Sequence, residues 1–308
     1  MPMTLFLPNA RTRRAAMWAA AVALTLAALA APTPKAHSAE DIAAVAKAKR
    51  IVSIGGSVTE IVYALGEEGR LIARDSTGLY PPAALALPDI GYMRAISPEN
   101  VLGINPDAII TLEGSGPPEA IEVLKKASVP FATVPEKFDE AGILEKIRVV
   151  GTALGVEDKA AKLSAEVKAD IDAAIAATAG ISERKRVLFI LSMQGGKALA
   201  SGTDTAADGI IRMAGGVNVI SEFPGYKALT DEAIVTAKPD LILMMDRGGD
   251  HSAANADIKA HPALSQTPAV QNDAIVRMDG AYLLGFGPRT AAAARDLAKA
   301  LYGDRVLN

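Results

Sequence analysis

Short apolar runs alternate with amphipathic stretches along most of the chain. RIVSIGG at 50–56 is mostly apolar and ends in two glycines, the pattern of a buried strand entering a turn. SVTE at 57–60 has capping-box spacing, and Ile61, Val62 and Leu65 form a helical stripe that Gly66 closes. Strand, glycine turn and capped helix open a β-α unit of a parallel sheet. The second half is similar. RVLFILS at 186–192 reads as a strand followed by Gly195 and Gly196, and TAAD at 205–208 caps a helix carrying Ile210, Ile211 and Met213 that ends at Gly215 and Gly216. Both early glycine pairs, Gly55-Gly56 and Gly195-Gly196, are expected to turn a strand tightly into a helix, and they match phosphate-binding turns only weakly.

An internal repeat sharpens this picture. SPENVLGINPDAII at 97–110 and TDEAIVTAKPDLIL at 230–243 align without a gap at an offset of 133. Each is a Ser/Thr cap, a Glu in the first turn, an apolar stripe, Pro-Asp and a strand, which argues for two lobes of one architecture. Between them, residues 139–179 hold few strand formers and many Ala, Lys, Glu and Asp, broken only at Gly151 and Gly155. That stretch reads as helix nearly throughout, with 157–179 a single long helix. The expected fold is α/β, with two Rossmann-like lobes built on central parallel sheets and joined by a long rigid helix. The boundaries are 39–138 for the first lobe, 139–180 for the linker and 181–308 for the second, with a ligand cleft between the lobes.

The N-terminus follows different rules. Arg11, Arg13 and Arg14 precede 17 uncharged residues from 15 to 31, and small residues follow at Ala36 and Ser38. This is an export signal with cleavage expected after Ser38, its apolar run shorter than the roughly 20 residues of a membrane span. TRRA at 12–15 hints at a twin-arginine signal, but Ala16 stands where a bulky apolar residue is usual, so a general secretory signal is favoured. The mature chain is therefore expected to be soluble in an exported compartment, and it is expected to be a monomer. The 308-residue chain is 50% hydrophobic with a formal charge of −3, which excludes disorder and gives no basic excess for nucleic acid. It has no Cys, which excludes disulfides, thiolate metal sites and a cysteine-borne lipid anchor. Loss of 1–38, with four basic and no acidic residues, takes the charge to −7 and leaves only His251 and His261.

Enzyme signatures are missing: no G-x-S-x-G, P-loop, G-x-G-x-x-G after a strand or H-E-x-x-H occurs. Two histidines are too few for a His-rich metal site, and both are expected in solvated loops. A binding protein fits better than an enzyme. LPDIGYMRAIS at 87–97 is a loop by its Pro and Gly content, and if extended it projects Tyr92 and Arg94 to one side. A neighbouring cation favours the phenolate of a Tyr, and phenolate oxygen is a hard ligand suited to ferric iron. On the residues alone, Tyr92 is an amphipathic loop tyrosine that packs its ring and exposes its hydroxyl.

The mature chain resembles, over essentially its whole length, the periplasmic haemin-binding proteins that feed bacterial haem ABC importers. The resemblance rests on RIVSIGGSVTEIVYALG at 50–66, LPDIGYMR at 87–94, LFILSMQGG at 188–196, TAADGIIRMAGG at 205–216 and LLGFGPRT at 283–290, in that order and spacing. The wider group has a rigid helical linker and includes vitamin B12 and ferric-siderophore binders. The resemblance implies ferric haem as transported ligand, Tyr92 as axial ligand of its iron and Arg94 as the partner that stabilises the ionised Tyr. Some relatives carry a His where this chain has Met193, and neutral thioether suits ferrous rather than ferric iron, so Met193 is expected as pocket wall rather than ligand. Some carry Arg where Lys227 stands, which keeps the charge and loses the planar fork. Tyr226 is read either as a ring stacked on the porphyrin or as a core ring. Arg74, Lys227, Arg247 and Arg289 are candidate cations for the haem propionates. Relatives dock on their permease dimer through one surface Glu per lobe, and Glu99 and Glu232 match position by position. The bland role of both, stabilising a helix N-terminus by about 0.3–1 kcal/mol, holds in any case. The alternative ligand within this fold is a ferric siderophore or corrinoid; a haem reductase or chelatase lacks its redox groups here.

Overall fold

The structure is a computed structural model that describes residues 44–246 and 252–306. The expected signal at 1–38, together with Arg247 and His251, lies outside the described residues. β1 (Ile51–Ile54) runs into α1 (Gly56–Ala64), and β2 (Leu71–Arg74), α2 (Pro98–Leu102), β3 (Ala108–Leu112), α3 (Pro118–Lys126) and β4 (Phe131–Val134) follow. The four strands are parallel in the order β2-β1-β3-β4. Central β1 and β3 are buried at every position, as a sheet covered on both faces requires. The capping box expected at 57–60 does not form. Gly55 takes the N-cap position, Ser57 lies buried in the first turn, and the Glu60 carboxylate is drawn to the second lobe instead.

The linker is two helices, α4 (Glu140–Leu154) and α5 (Glu157–Ala176). Asp139 caps α4 by accepting the Gly142 N–H at 2.7 Å. Left-handed Gly155 separates the two. Gly151, expected as a second break, lies inside α4, where a Cβ would collide with Ala160 of α5; its lack of a side chain serves helix packing rather than a turn. Ile143, Ile147, Val150 and Leu154 of α4 and Val167, Ile171 and Ala174 of α5 are buried at helical spacing.

The second lobe holds β5 (Arg186–Gln194), β6 (Lys197–Ser201), α6 (Ala206–Met213), β7 (Val217–Asn218), β8 (Tyr226–Ala228) and α7 (Asp231–Ala237). β9 (Leu241–Asp246), α8 (Ser252–Ala260), α9 (Pro268–Gln271), β10 (Ile275–Asp279), α10 (Gly280–Leu284) and α11 (Thr290–Tyr302) complete it. Its sheet runs β10-β9-β5-β6-β8, with β7 beside β5. β10, β9, β5 and β7 are parallel, while β6 and β8 are antiparallel additions. Gly195 and Gly196 therefore do not lead a strand into a helix. With φ of 55° and 75° they form the tight turn between antiparallel β5 and β6, the double left-handed geometry of a two-residue hairpin.

The repeat is structural in detail. Ser97 caps α2 and Thr230 caps α7, each accepting a backbone N–H with its side chain. Asn105 and Lys238, both before the repeated proline, adopt φ of 53° and 42°. Asp107 accepts the Lys49 N–H at 3.2 Å and Asp240 the Arg186 N–H at 2.8 Å. Arg50 and Arg186 each donate at 2.8 Å to a carbonyl two residues before the proline, Ile104 and Ala237 respectively.

One hydrophobic cluster runs through both lobes and the linker, joining Val52 and Ile110 to Ile143, Ile147, Val187, Ile210 and Leu297. A second, with Leu188, Ile190 and Ile242, lies wholly in the second lobe. Polar contacts fix the seam. Glu60 of α1 accepts the Arg289 backbone N–H at 3.1 Å and the guanidinium Nε and Nη2, each at 3.0 Å. That guanidinium also stacks 3.6 Å from the Tyr80 ring centroid. Fully buried Lys146 of α4 pairs with Glu136 and donates to the Phe286 carbonyl at 3.0 Å. Phe138 and Phe286 meet edge to face at 5.3 Å over Gly209.

Two outcomes test this seam. Gly209→Ala gains about 1 kcal/mol of helix propensity. Its Cβ, however, meets the Phe138 carbonyl and the Phe286 ring, and overpacking costs about 1–3 kcal/mol, so urea denaturation should show a net loss of stability. Glu60→Ala strips Arg289 of its carboxylate. Arg289 keeps 25% side-chain exposure, so the loss should be about 2 kcal/mol, below the 3–5 kcal/mol of a fully buried pair. An unchanged melt would show that the pair adds nothing to the joint.

Candidate functional site

The segment before α2 is strung between two neighbours. Arg74 N–H donates to the Pro88 carbonyl, Ile90 N–H to that of Arg74, and Ser76 N–H to that of Gly91, all within 3.0 Å. On its other side Gly116 N–H donates to the Met93 carbonyl at 2.9 Å. Asp89 accepts from Gly91 N–H, Ser76 Oγ and Arg74 Nη1. Burial pushes the Asp89 carboxyl up, but these hydrogen bonds and the Arg74 charge outweigh it and hold the group below its usual range. Arg74 is thereby buried and committed, as Arg289 is to Glu60; neither is a free cation for a ligand.

Residues 92–95 form a turn, with Ala95 N–H donating to the Tyr92 carbonyl at 2.8 Å, rather than the extended run expected. Alternation survives it: Met93 is buried, while Tyr92, 49% exposed, and Arg94 face solvent. The Arg94 charge reaches two groups beyond its own loop, the Tyr226 phenol and the Glu136 carboxyl, and draws both pKa values down. Burial outweighs it in each case and leaves both raised. Burial likewise lowers the pKa of Lys146, against the pull of its partner Glu136.

Tyr226 is half-buried on β8. The Thr205 hydroxyl and the Ala207 N–H at the start of α6, and the Ser201 hydroxyl at the end of β6, favour ionisation of its oxygen, and burial outweighs them. Its ring sits edge-on to Phe189 at 6.3 Å. The hydroxyl is thus occupied by its own lobe, and the ring is the part left to form a wall. Lys227, next along the strand, points to the other face, with its ammonium 5.0 Å from the Phe223 ring centroid. Met193 shares that other face. A bulge between Ile190 and Ser192 flips the alternation of β5, so Met193 packs with Phe223 on the second-lobe cluster instead of following Phe189. The Arg94 charge is thus felt at Tyr226, Tyr92 stands two residues before Arg94, and Met193 and Lys227 lie on the sheet face opposite Tyr226.

Glu99 and Glu232 are exposed, each at the second position of its helix. A groove of about 290 Å3 borders Glu232, lined also by Asp231, Val235, Thr236, Pro262, Ala263 and Gln266; neither Arg94 nor Tyr226 lines it. His261 is not in a solvated loop. It is buried, its Nδ1 accepts the Ala263 and Leu264 N–H groups at 3.2 and 3.3 Å, and its Nε2–H donates to the Gly196 carbonyl at 2.8 Å. Sequence reading does not single out Asp75, Glu136 or Lys146. The one available signal was Lys146 falling on the apolar stripe of Ile143, Ile147 and Val150.

Comparison with known proteins adds the following. Residues 51–282 match the periplasmic binding protein family. The periplasmic haem-binding protein BhuT, solved with two haems, is 39% identical, covers 84% of this chain and 99% of its own, and superposes with a TM-score of 0.78. The apo form of the periplasmic haem-binding protein RhuT from Roseiflexus sp. RS-1 is 36% identical, with the same coverage and a TM-score of 0.79. A vitamin B12-binding protein from Vibrio cholerae is 28% identical over 80% of this chain and 86% of its own length. With a family match spanning most of the sequence and a two-lobed fold shared with these structures, the chain belongs to the periplasmic binding protein family.

Proposed function

We propose that the protein captures ferric haem between its lobes in the periplasm and hands it to an ABC permease dimer at the inner membrane. The observation that carries this reading is the half-exposed Tyr92, raised on a turn whose neighbours are all tied down. Tyr92 supplies the iron ligand and Arg94 the nearby cation that favours the phenolate. The Tyr226 ring lines the opposite wall. Relatives at 39% and 36% identity that bind haem support this ligand over others. Met193 takes no part in coordination, because it faces the far side of the second sheet and its sulfur suits ferrous iron. The likeness to a vitamin B12 binder favours a second reading, a corrinoid as ligand. Corrinoids and siderophores bring complete metal coordination of their own, and an exposed Tyr ligand is then without use.

Titrating purified protein with haemin and, separately, with cyanocobalamin distinguishes these readings. Haemin should give a saturable ferric spectrum with a tyrosinate charge-transfer band, and cyanocobalamin no change; the reverse result would sink the haem reading. Tyr92→Phe should abolish the band. It should also weaken haemin binding by more than the roughly 10- to 100-fold typical of losing a ligand's supporting partner. Met193→Leu should leave the spectrum as it was.

Delivery rests on Glu99 and Glu232, one exposed carboxylate at the same position of each repeated helix. Such a pair suits a permease of approximate two-fold symmetry, where charges guide encounter and orientation. Replacing both by Ala should leave haemin affinity intact, lower stability by about 0.3–1 kcal/mol per site, and stop transfer into vesicles holding the permease. Transfer at the normal rate would reduce these glutamates to helix stabilisers.

A further inference from the structure

Asp75 is fully buried in the first lobe, just beyond β2. Its Oδ1 accepts the Gly55 N–H at 2.8 Å, at the turn from β1 into α1. Its Oδ2 accepts the Thr77 N–H at 3.0 Å and the Thr77 hydroxyl at 2.7 Å. The Met93 N–H, the peptide nitrogen directly after Tyr92, also favours the ionised carboxylate. The Thr77 hydroxyl oxygen lies 3.8 Å from the Met93 sulfur, on the buried side of the same turn. The carboxylate thus ties the turn at Gly55 to Thr77, and Thr77, together with the Ser76 N–H that donates to the Gly91 carbonyl at 2.9 Å, carries that frame to the segment that holds Tyr92. Burial raises the Asp75 pKa against these hydrogen bonds, which is the cost of keeping an anion where water cannot reach it.

From this geometry we infer that Asp75 is a positioning residue: it sets the height and tilt of the 92–95 turn and so fixes Tyr92 as an iron ligand. The inference rests on the reading of Tyr92 as that ligand. Gly91 supports it, with a φ of 102° that lets the chain rise from the Asp89 anchor into the turn. Two of the three donors hydrogen-bonded to the Asp75 carboxylate are backbone N–H groups, which cannot turn away. An amide in its place must aim its NH2 at one set of them, and buried donors then lose their acceptor.

The test uses Asp75→Asn in two backgrounds. With Tyr92 present, the substitution should weaken haemin binding by about 10- to 100-fold and shift the charge-transfer band, as loss of a ligand's support does elsewhere. With Tyr92→Phe, the same substitution should change affinity less than about twofold, since a positioning effect disappears with the group positioned. Equal losses in both backgrounds overturn the inference. A second readout needs no haem. Amide hydrogen exchange over 91–95 and at Gly55 should quicken, while the amides of β3 keep their protection. Exchange that rises everywhere, or nowhere, marks a structural acid and also overturns the proposal. Thr77→Val, which removes one donor and keeps the carboxylate, should give a smaller shift of the same sign, and it carries the test if Asp75→Asn does not fold. An unaltered spectrum in Tyr92→Phe alone overturns the ligand reading instead, while local exchange still decides what Asp75 holds.

Discussion

Lys146 has no exposure to water, and everything that joins the lobes is arranged around that fact. A buried ammonium without partners is too costly to persist, so the linker can sit only where Glu136 and the Phe286 carbonyl meet it. Glu136 follows β4 in the first lobe and Phe286 precedes α11 in the second. One side chain on α4 therefore specifies how both lobes register against the linker. The apolar cluster shared by the three parts supplies the driving force, while Lys146 and the Glu60–Arg289 pair supply the specificity.

Duplication explains the scaffold but not the site. Cap, Pro-Asp corner and arginine-to-carbonyl bond recur in both lobes, although Asp107 takes the N–H of Lys49, one residue before Arg50, and Asp240 that of Arg186 itself. The lobes differ where the second adds the hairpin of β5 and β6 and the short β8. Tyr226 stands on that addition, whereas Tyr92 stands on an irregular loop laid along the edge of β2 in the first lobe. Each of the two proposed site residues therefore stands on what its lobe does not share with the other. A duplicated frame leaves these departures free to carry chemistry, because the packing that keeps the frame folded does not depend on them.

Elements specified by local rules were legible in the sequence. Thr205 and Thr230 cap helices because their hydroxyls meet a backbone N–H three residues on, and the repeated Pro-Asp corners need only a short window to be recognised. Features that depend on distant partners were not. SVTE looks like a capping box, yet Glu60 is worth more opposite Arg289, 229 residues away, than at its own helix start. His261 precedes a proline and looks like loop, but three hydrogen bonds make it part of the turn it occupies. Met193 follows Phe189 by an even number of residues, which promises a shared face; the bulge at Ile190–Ser192 breaks that promise and leaves no mark in composition. Arg74 reads as a spare cation until Asp89 folds back on it.

The Tyr92 segment breaks the usual relation between anchoring and burial. Loops held by many internal hydrogen bonds normally use them to press an apolar side chain into the core. Here Met93 does that, and the residues on either side face outward. Leu79, Tyr80, Leu85 and Tyr92, all between 40% and 55% exposed, fall within fourteen residues of this one stretch. Apolar surface kept in water by a rigid frame has not been minimised by folding, so its compensation lies in what covers it. A flat apolar ligand with a metal at its centre covers such a surface and uses the phenol oxygen at the same time. An apolar ligand alone would leave that oxygen idle, and a metal ion alone would leave the apolar surface wet. Under the proposed reading both features of the segment are satisfied together, because the metal and the apolar face arrive as one molecule.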